Sequence, residues 1–252
     1  MESLSEIGVL AGAGLLAGAV NALAGGGSLI SFPALLALGY PSVTATVTNT
    51  VALWPGYLGG VLGYRKELSG QRRRSVSFAL TSIVGAALGS VLLLVTSEGL
   101  FDALVPALIA LASVALLLQP VLKARIGRAA ESESRGHNRL VYPGVFLGGV
   151  YGAYFTGGMG VLLLGILGIF VYDDLQRVNA VRSVLSLTIA TAAMAAFALF
   201  GPVDWSAVAV MAVASLAGGL LGTRVARMLS PTVLRNVIVA FGLTVAMMLA
   251  VA

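Results

Sequence analysis

The chain has 252 residues, 58% hydrophobic and 10% charged, with a formal net charge of +5. Soluble domains carry about a quarter charged residues, so the composition defines a membrane protein, and the surplus of basic residues sits in short loops rather than in a nucleic-acid footprint. There is no cysteine, which excludes disulfides and thiolate chemistry.

In chain order, the start "MESLSEIGVL" has an acidic flank where a secretory signal would have a basic one, so the first apolar segment is expected to stay in the mature protein. Charge-free runs then occupy 7–39, 43–64, 75–97, 103–122, 140–172, 178–203 (interrupted by one arginine), 205–223 and 236–252. One crossing needs about 20 residues, and most runs fit. The runs 7–39 and 140–172 are too long for one crossing and short for two. Each has glycines near its middle: Gly25, Gly26 and Gly27 in the first, Gly157, Gly158 and Gly160 in the second. A helical hairpin resolves the length. Arms of about 12 to 18 residues reach roughly 18 to 27 Å, which puts the tips at or beyond mid-membrane.

The loop charges give an orientation. "YRKELSGQRRR" (64–74), the stretch from Lys123 to Arg139, and the loop with Arg224, Arg227 and Arg235 are basic. The amino-terminal Glu2 and Glu6, Glu98 with Asp102, and Asp204 mark the opposite side. The positive-inside rule places the basic loops in the cytoplasm. The connections then alternate only if 7–39 and 140–172 each enter and leave on one side, which leaves both termini extracytoplasmic. The expected fold is an all-α, multi-pass protein of the plasma (inner) membrane. It has two inverted-topology repeats, each a broken-helix hairpin plus three transmembrane helices. Residues 1–122 form the first repeat, 123–139 a flexible cytoplasmic linker and 140–252 the second repeat. "AGGGSLI" (24–30) lies against "TGGMGVL" (156–162) and "GAALGS" (85–90) against "GGLLGT" (218–223), and both halves run on into a serine-containing turn, at Ser97 and Ser230. Inverted repeats with broken helices characterise secondary transporters.

Irregular backbone at that depth survives only if protein covers it or it lines a wet cavity. Amides at the start of the second hairpin arm, glycines that admit a ligand close to the backbone, and the Ser28 hydroxyl together suit an anion. Two such tips would frame one central site. The spaced pairs Gly14/Gly18, Gly85/Gly89, Gly144/Gly148 and Gly218/Gly222 read instead as helix packing.

The glycine cluster followed by an apolar arm, a proline and a threonine-rich helix start resembles the TauE/SafE sulfite exporter family. So does "GPVDWSAVAVMAVASLAGGLLGTRVARMLSPTVLR" (201–235). The resemblance covers nearly the whole chain. It implies a permease for small sulfur-containing anions: sulfite, sulfonates such as sulfoacetate, or related organic anions. The family's threonine–serine pair at a helix start looks like Thr48–Asn49 in the first half and Arg182–Ser183 in the second; both depart from the simple pair.

Arg182 is the one charged residue within these spans, and an intramembrane arginine is a functional candidate whose donor fork suits a sulfonate or carboxylate. Snorkelling to the cytoplasmic surface is the bland alternative. Arg177, at i+4 and i+3, is the better partner for Asp173 and Asp174. Thr44, Thr46 and Thr50 read as back-bonded threonines. His137, the sole histidine, carries no assigned role. The candidate substrate-binding set is Gly25, Gly26, Gly27, Ser28, Thr48, Asn49, Gly157, Gly158, Gly160, Arg182 and Ser183. No nucleotide-binding motif, metal-ligand spacing or nucleophile–base set is visible, so neither enzyme activity, metal nor cofactor is expected. The expected function is export of a small anion by alternating access; an anion channel and a cation-coupled uptake permease are the alternatives. The expected partners are the anion and the lipid bilayer, with no nucleic acid and with homo-oligomer formation left open.

Overall fold

The computed structural model describes residues 4–23, 25–130, 136–225 and 231–251. The Ser230 turn and residues 131–135 of the 123–139 connector lie outside the described residues. Ten helices are present among the described residues: α1 (Leu4–Leu23), α2 (Ser28–Ala37), α3 (Ser42–Gly63), α4 (Arg72–Val95), α5 (Glu98–Ala130), α6 (Val141–Tyr154), α7 (Met159–Phe170), α8 (Leu175–Phe200), α9 (Trp205–Val225) and α10 (Pro231–Val251). The windows Leu4–Asn21, Arg72–Val95, Glu98–Leu122 and Leu175–Phe200 are long and apolar enough to cross a membrane. On α4, Leu80, Val84, Val91 and Val95 are exposed, an apolar stripe with no protein over it.

Both long apolar runs break at their glycines. Gly25, at φ +78°, lets the chain reverse after α1, and α2 restarts at Ser28. In the second run Thr156 (φ 60°) and Gly158 (φ +69°) turn the chain between α6 and α7. A left-handed conformation is ordinary for glycine and strained for a β-branched threonine. Side chains terminate other helices. Asp174 caps α8 by accepting from Gln176 N at 2.8 Å. Asp204 caps α9 by accepting from Ser206 N and Ala207 N, each at 3.0 Å. Pro41 offers α3 no side-chain cap. Glu98 of α5 supplies it, accepting from Val43 N at 3.1 Å and Ser42 Oγ at 3.0 Å.

The helices pair in a regular way. α1 lies along α9 and α6 along α4; α3 contacts α9 and α8 contacts α4; α5 meets both α7 and α10. The first two pairs are glycine seams. A Cβ on Gly18 would sit 2.1 Å from Ser215 O, and one on Gly218 2.0 Å from Leu15 O. Across the other seam, a Cβ on Gly85 would sit 2.2 Å from Phe146 O and one on Gly89 2.2 Å from Val150 O. Small residues let backbones approach where lipid provides no hydrophobic drive between helices.

The connector departs from the flexible linker expected at 123–139. Its first part continues α5 to Ala130, and Gly136–His137 pairs antiparallel with Val171–Tyr172. Alanine, lysine and arginine are good helix formers, so the apolar span ends there while the helix does not.

Candidate functional site

The two glycine tips meet. A Cβ on Gly25 would lie 2.8 Å from Gly160 Cα, and one on Gly160 would lie 2.8 Å from Gly25 Cα. The Arg182 guanidinium enters the same point from α8. Its Nη1 is 2.6 Å from the Cβ position of Gly25 and 3.0 Å from that of Gly160. Arg182 is 4% exposed. It therefore points into the protein between the tips and does not snorkel. The ion pairs among the described residues are those of Asp173 with Arg74 and with Arg177, so Arg182 has no carboxylate within 4.0 Å. An unpaired buried charge is costly, by several kcal/mol after relaxation.

A small, narrow cavity lies at this point, with a volume of about 10 Å³. Beside Gly25, Arg182 and Ser183, its lining includes Asn21 of α1, Tyr57 of α3 and Ser186 of α8. The Tyr57 hydroxyl faces the side chains of Ser28 and Asn21. Asn21 Oδ1 accepts from Gly27 N at 2.8 Å, which leaves its Nδ2 as a donor without a partner. Ser28 Oγ and Arg182 Nε are likewise buried without a hydrogen-bond partner. The local excess is of donors, and an acceptor-rich group such as an oxyanion would satisfy them.

The expected residues fall into two groups. Gly25, Ser28, Gly160, Arg182 and Ser183 come together around the cavity. The others face elsewhere. Gly26 faces Leu116 of α5, and a Cβ on Gly27 would strike Ala17 O at 2.0 Å. Gly157 abuts the Phe155 ring, and Gly158 packs on Ala112. Thr48 accepts from Asp204 N at 3.0 Å, anchoring the α8–α9 turn. Asn49 accepts from Ser31 Oγ at 2.6 Å, tying α3 to α2. Several tip amides are engaged within the tips: Leu29 N bonds Gly26 O, Met159 N bonds Thr156 O, and Val161 N bonds Gly158 O. The side chains Arg182, Asn21 and Ser28 therefore carry more of the donor set than the expected free amides. Asn21 and Tyr57 were not singled out from the sequence. A lone carboxamide inside the apolar run 7–39 was the available signal for Asn21; Tyr57 has no local signal, because packing of α3 on α2 and α8 brings it in.

Neighbouring polar residues brace the tips. Thr46 and Thr50 back-bond to Ser42 O and Thr46 O at 2.9 and 2.8 Å. The Thr50 and Thr156 hydroxyls also share a 2.9 Å hydrogen bond, which links α3 to the second tip. Trp54 Nε1 donates to Thr191 Oγ1 at 2.8 Å, joining α3 to α8 away from the cavity. At the arginine-rich end, Arg177 and Arg74 both bind Asp173, at 3.0 and 2.7 Å. Burial works to raise the Asp173 carboxyl, but hydrogen bonds from Arg74, Asp174 N and Arg177 outweigh it and hold the group below its ordinary value.

Apolar helices around a buried arginine and two interrupted helical tips define a polytopic membrane protein with a central polar site. The family model "Sulfite exporter TauE/SafE" matches residues 10–249, and the chain belongs to that family: it is a membrane transporter, embedded through its apolar helices. It is similar to a probable membrane transporter protein of Haemophilus influenzae, 28% identical over 90% of this chain and 87% of that one. It is also similar to the probable membrane transporter protein ORF9 of Sinorhizobium sp., 27% identical over 94% and 89% of the two chains. The probable membrane transporter protein YfcA of Escherichia coli K12 is 25% identical over 95% of this chain and 87% of its own. No solved structure matches the chain.

Proposed function

We propose that the protein is a secondary transporter that exports a small sulfur-containing anion, sulfite or a sulfonate, across the plasma membrane by alternating access. One observation carries the reading: Arg182, buried and without a carboxylate, stands where the two glycine tips touch. Gly25 and Gly160 let the guanidinium and an anion approach the backbone, while Asn21, Ser28, Tyr57, Ser183 and Ser186 supply neutral polar contacts.

The reading includes two halves, 1–122 and 140–252, inverted about an axis through this point. The packing supports it. Exchanging α1 to α5 for α6 to α10 turns the α1–α9 pair into α6–α4, α3–α9 into α8–α4, and leaves α5–α10 and α3–α8 paired with themselves. The arginine-rich end is then cytoplasmic and both termini extracytoplasmic. The cavity volume of about 10 Å³ is room for roughly one water. Room for so little solvent fits a narrow stage of an alternating-access cycle better than an open channel. An inside-negative potential assists export of a monoanion by about 2.3 kcal/mol per 100 mV.

The test is efflux from proteoliposomes loaded with sulfite, methanesulfonate, sulfoacetate, sulfate or acetate. Saturable efflux of the sulfur oxyanions that Arg182→Gln abolishes is the expected result. Non-saturating flux would make the protein a channel, and efflux untouched by Arg182→Gln would remove the site.

A further inference from the structure

A second cavity lies at the arginine-rich end, walled by the start of α4, the Gly136–His137 strand with Arg139 after it, the start of α6, and the turn into α8. Its volume is about 740 Å³, and Arg73, Arg74, Arg139 and Arg177 line it against a single carboxylate, Asp173. Asp173 engages Arg74 and Arg177. Arg73 and Arg139 are exposed and, among the described residues, have no carboxylate partner. Arg177 is five positions before Arg182 on α8, about 140° round the helix at 3.6 residues per turn, so this cavity is a separate place from the central site.

We propose that this cavity binds a phosphate-bearing ligand, gripped by the Arg73 and Arg139 guanidiniums. A guanidinium fork matches phosphate oxygens in pairs. The volume lies in the roughly 300–1,000 Å³ range of organic-ligand sites, far more than a bare oxyanion fills, so the phosphate is carried on a larger body. That body is either a soluble organic phosphate or an anionic lipid headgroup, since basic pockets between transmembrane helices bind such headgroups. Arg73 belongs to α4, whereas Arg139 ends the connector and Arg177 lies beyond it on α8. A ligand held between them ties the two parts of the chain together at this end and restrains their relative motion.

His137 is the natural reporter. It is the only histidine of the chain, and its ring packs edge-on against Phe78 and Tyr142, with centroids 5.2 and 6.1 Å away. The charged and titratable groups around the cavity are Arg73 and Arg74 of α4, Arg139, Tyr142 of α6, Asp173, and Arg177 of α8. Burial, and then the Arg74 charge, lower the His137 pKa; a bound phosphate reverses the second effect and raises it.

The experiment labels the histidine ring with carbon-13 and follows the single imidazole signal in phosphatidylcholine nanodiscs. Pyrophosphate is titrated in one arm; nanodiscs with increasing phosphatidylglycerol form the other. The expected result is a saturable shift with a rising His137 pKa in at least one arm, which also names the source. Affinity should fall at least about tenfold in the R73Q/R139Q double variant and persist in Arg182→Gln, so failure of the central site leaves this result readable. No saturable shift in either arm, or a response unchanged in R73Q/R139Q, overturns the proposal.

Discussion

The Arg182 guanidinium occupies the space that a side chain on Gly25 would take: its Nη1 is 2.6 Å from the Cβ position of that glycine. The glycine also holds φ +78°, so backbone conformation and space both exclude a larger residue. Gly25→Ala should therefore displace the arginine and reduce anion transport at least about tenfold, through strain of about 1–3 kcal/mol plus overpacking. Gly26→Ala, whose Cβ would meet Leu116 at an ordinary 3.5 Å, should transport normally. Efflux assays on the two variants, adjacent in sequence, check the distinction.

Removing the arginine should separate stability from function. Arg182 is buried with an unpartnered Nε, so the protein without anion carries an unbalanced charge. A well-packed apolar replacement of a buried charge is often neutral or stabilising by about 1–4 kcal/mol. Arg182→Met should unfold at the same or a higher temperature than wild type without anion. It should also lose the stabilisation that saturating sulfite gives the wild type, about 2.7 kcal/mol at one hundred times Kd. Thermal unfolding with and without sulfite measures both.

How much of this was legible in the sequence depended on where the signal lay. Adjacent glycines in an overlong apolar run marked both helix breaks, and Arg182 stood out as a charge within a span. The spaced pairs Gly14/Gly18 and Gly85/Gly89 announced the α1–α9 and α4–α6 seams as packing. What could not be read was which glycine of each cluster faces inward. That is settled by contacts from distant elements: Leu116 and Ala112 of α5 cover Gly26 and Gly158, and Ala17 covers Gly27. Asn49 looked like a ligand residue because Thr48–Asn49 stands where the family's threonine–serine pair would fall. Its partner is Ser31, 18 residues earlier, a pairing that only the fold supplies.

The seams themselves make a prediction. A Cβ on Gly85 would sit 2.2 Å from Phe146 O, and backbone cannot yield as a flexible side-chain end does. Gly85→Ala should push α4 and α6 apart and lower stability by about 1–3 kcal/mol. Gly12→Ala, which has open space at its Cβ position, should not. Detergent-solubilised thermal unfolding distinguishes them.

The Asp173 pairs give a pH dependence. The folded protein holds this carboxyl below its ordinary 3.8, so the unfolded chain takes up its proton first. The stabilisation is complete above that ordinary value and is lost as pH falls through the lower folded value. At pH 7, Asp173→Asn should lower stability by about 1–3 kcal/mol, because Arg74 and Arg177 lose a shared acceptor. The gap to wild type should narrow as the pH drops below the carboxylate range. Unfolding midpoints compared at neutral pH and near pH 3 read the convergence.

Equilibrium binding tests the central claim most directly. Calorimetric titration of sulfite into purified wild-type protein and Arg182→Gln asks whether the arginine between the glycine tips holds the anion. Saturable binding to the wild type, weakened at least about 30-fold in the variant, is the predicted result. Equal affinity in the two proteins would contradict it.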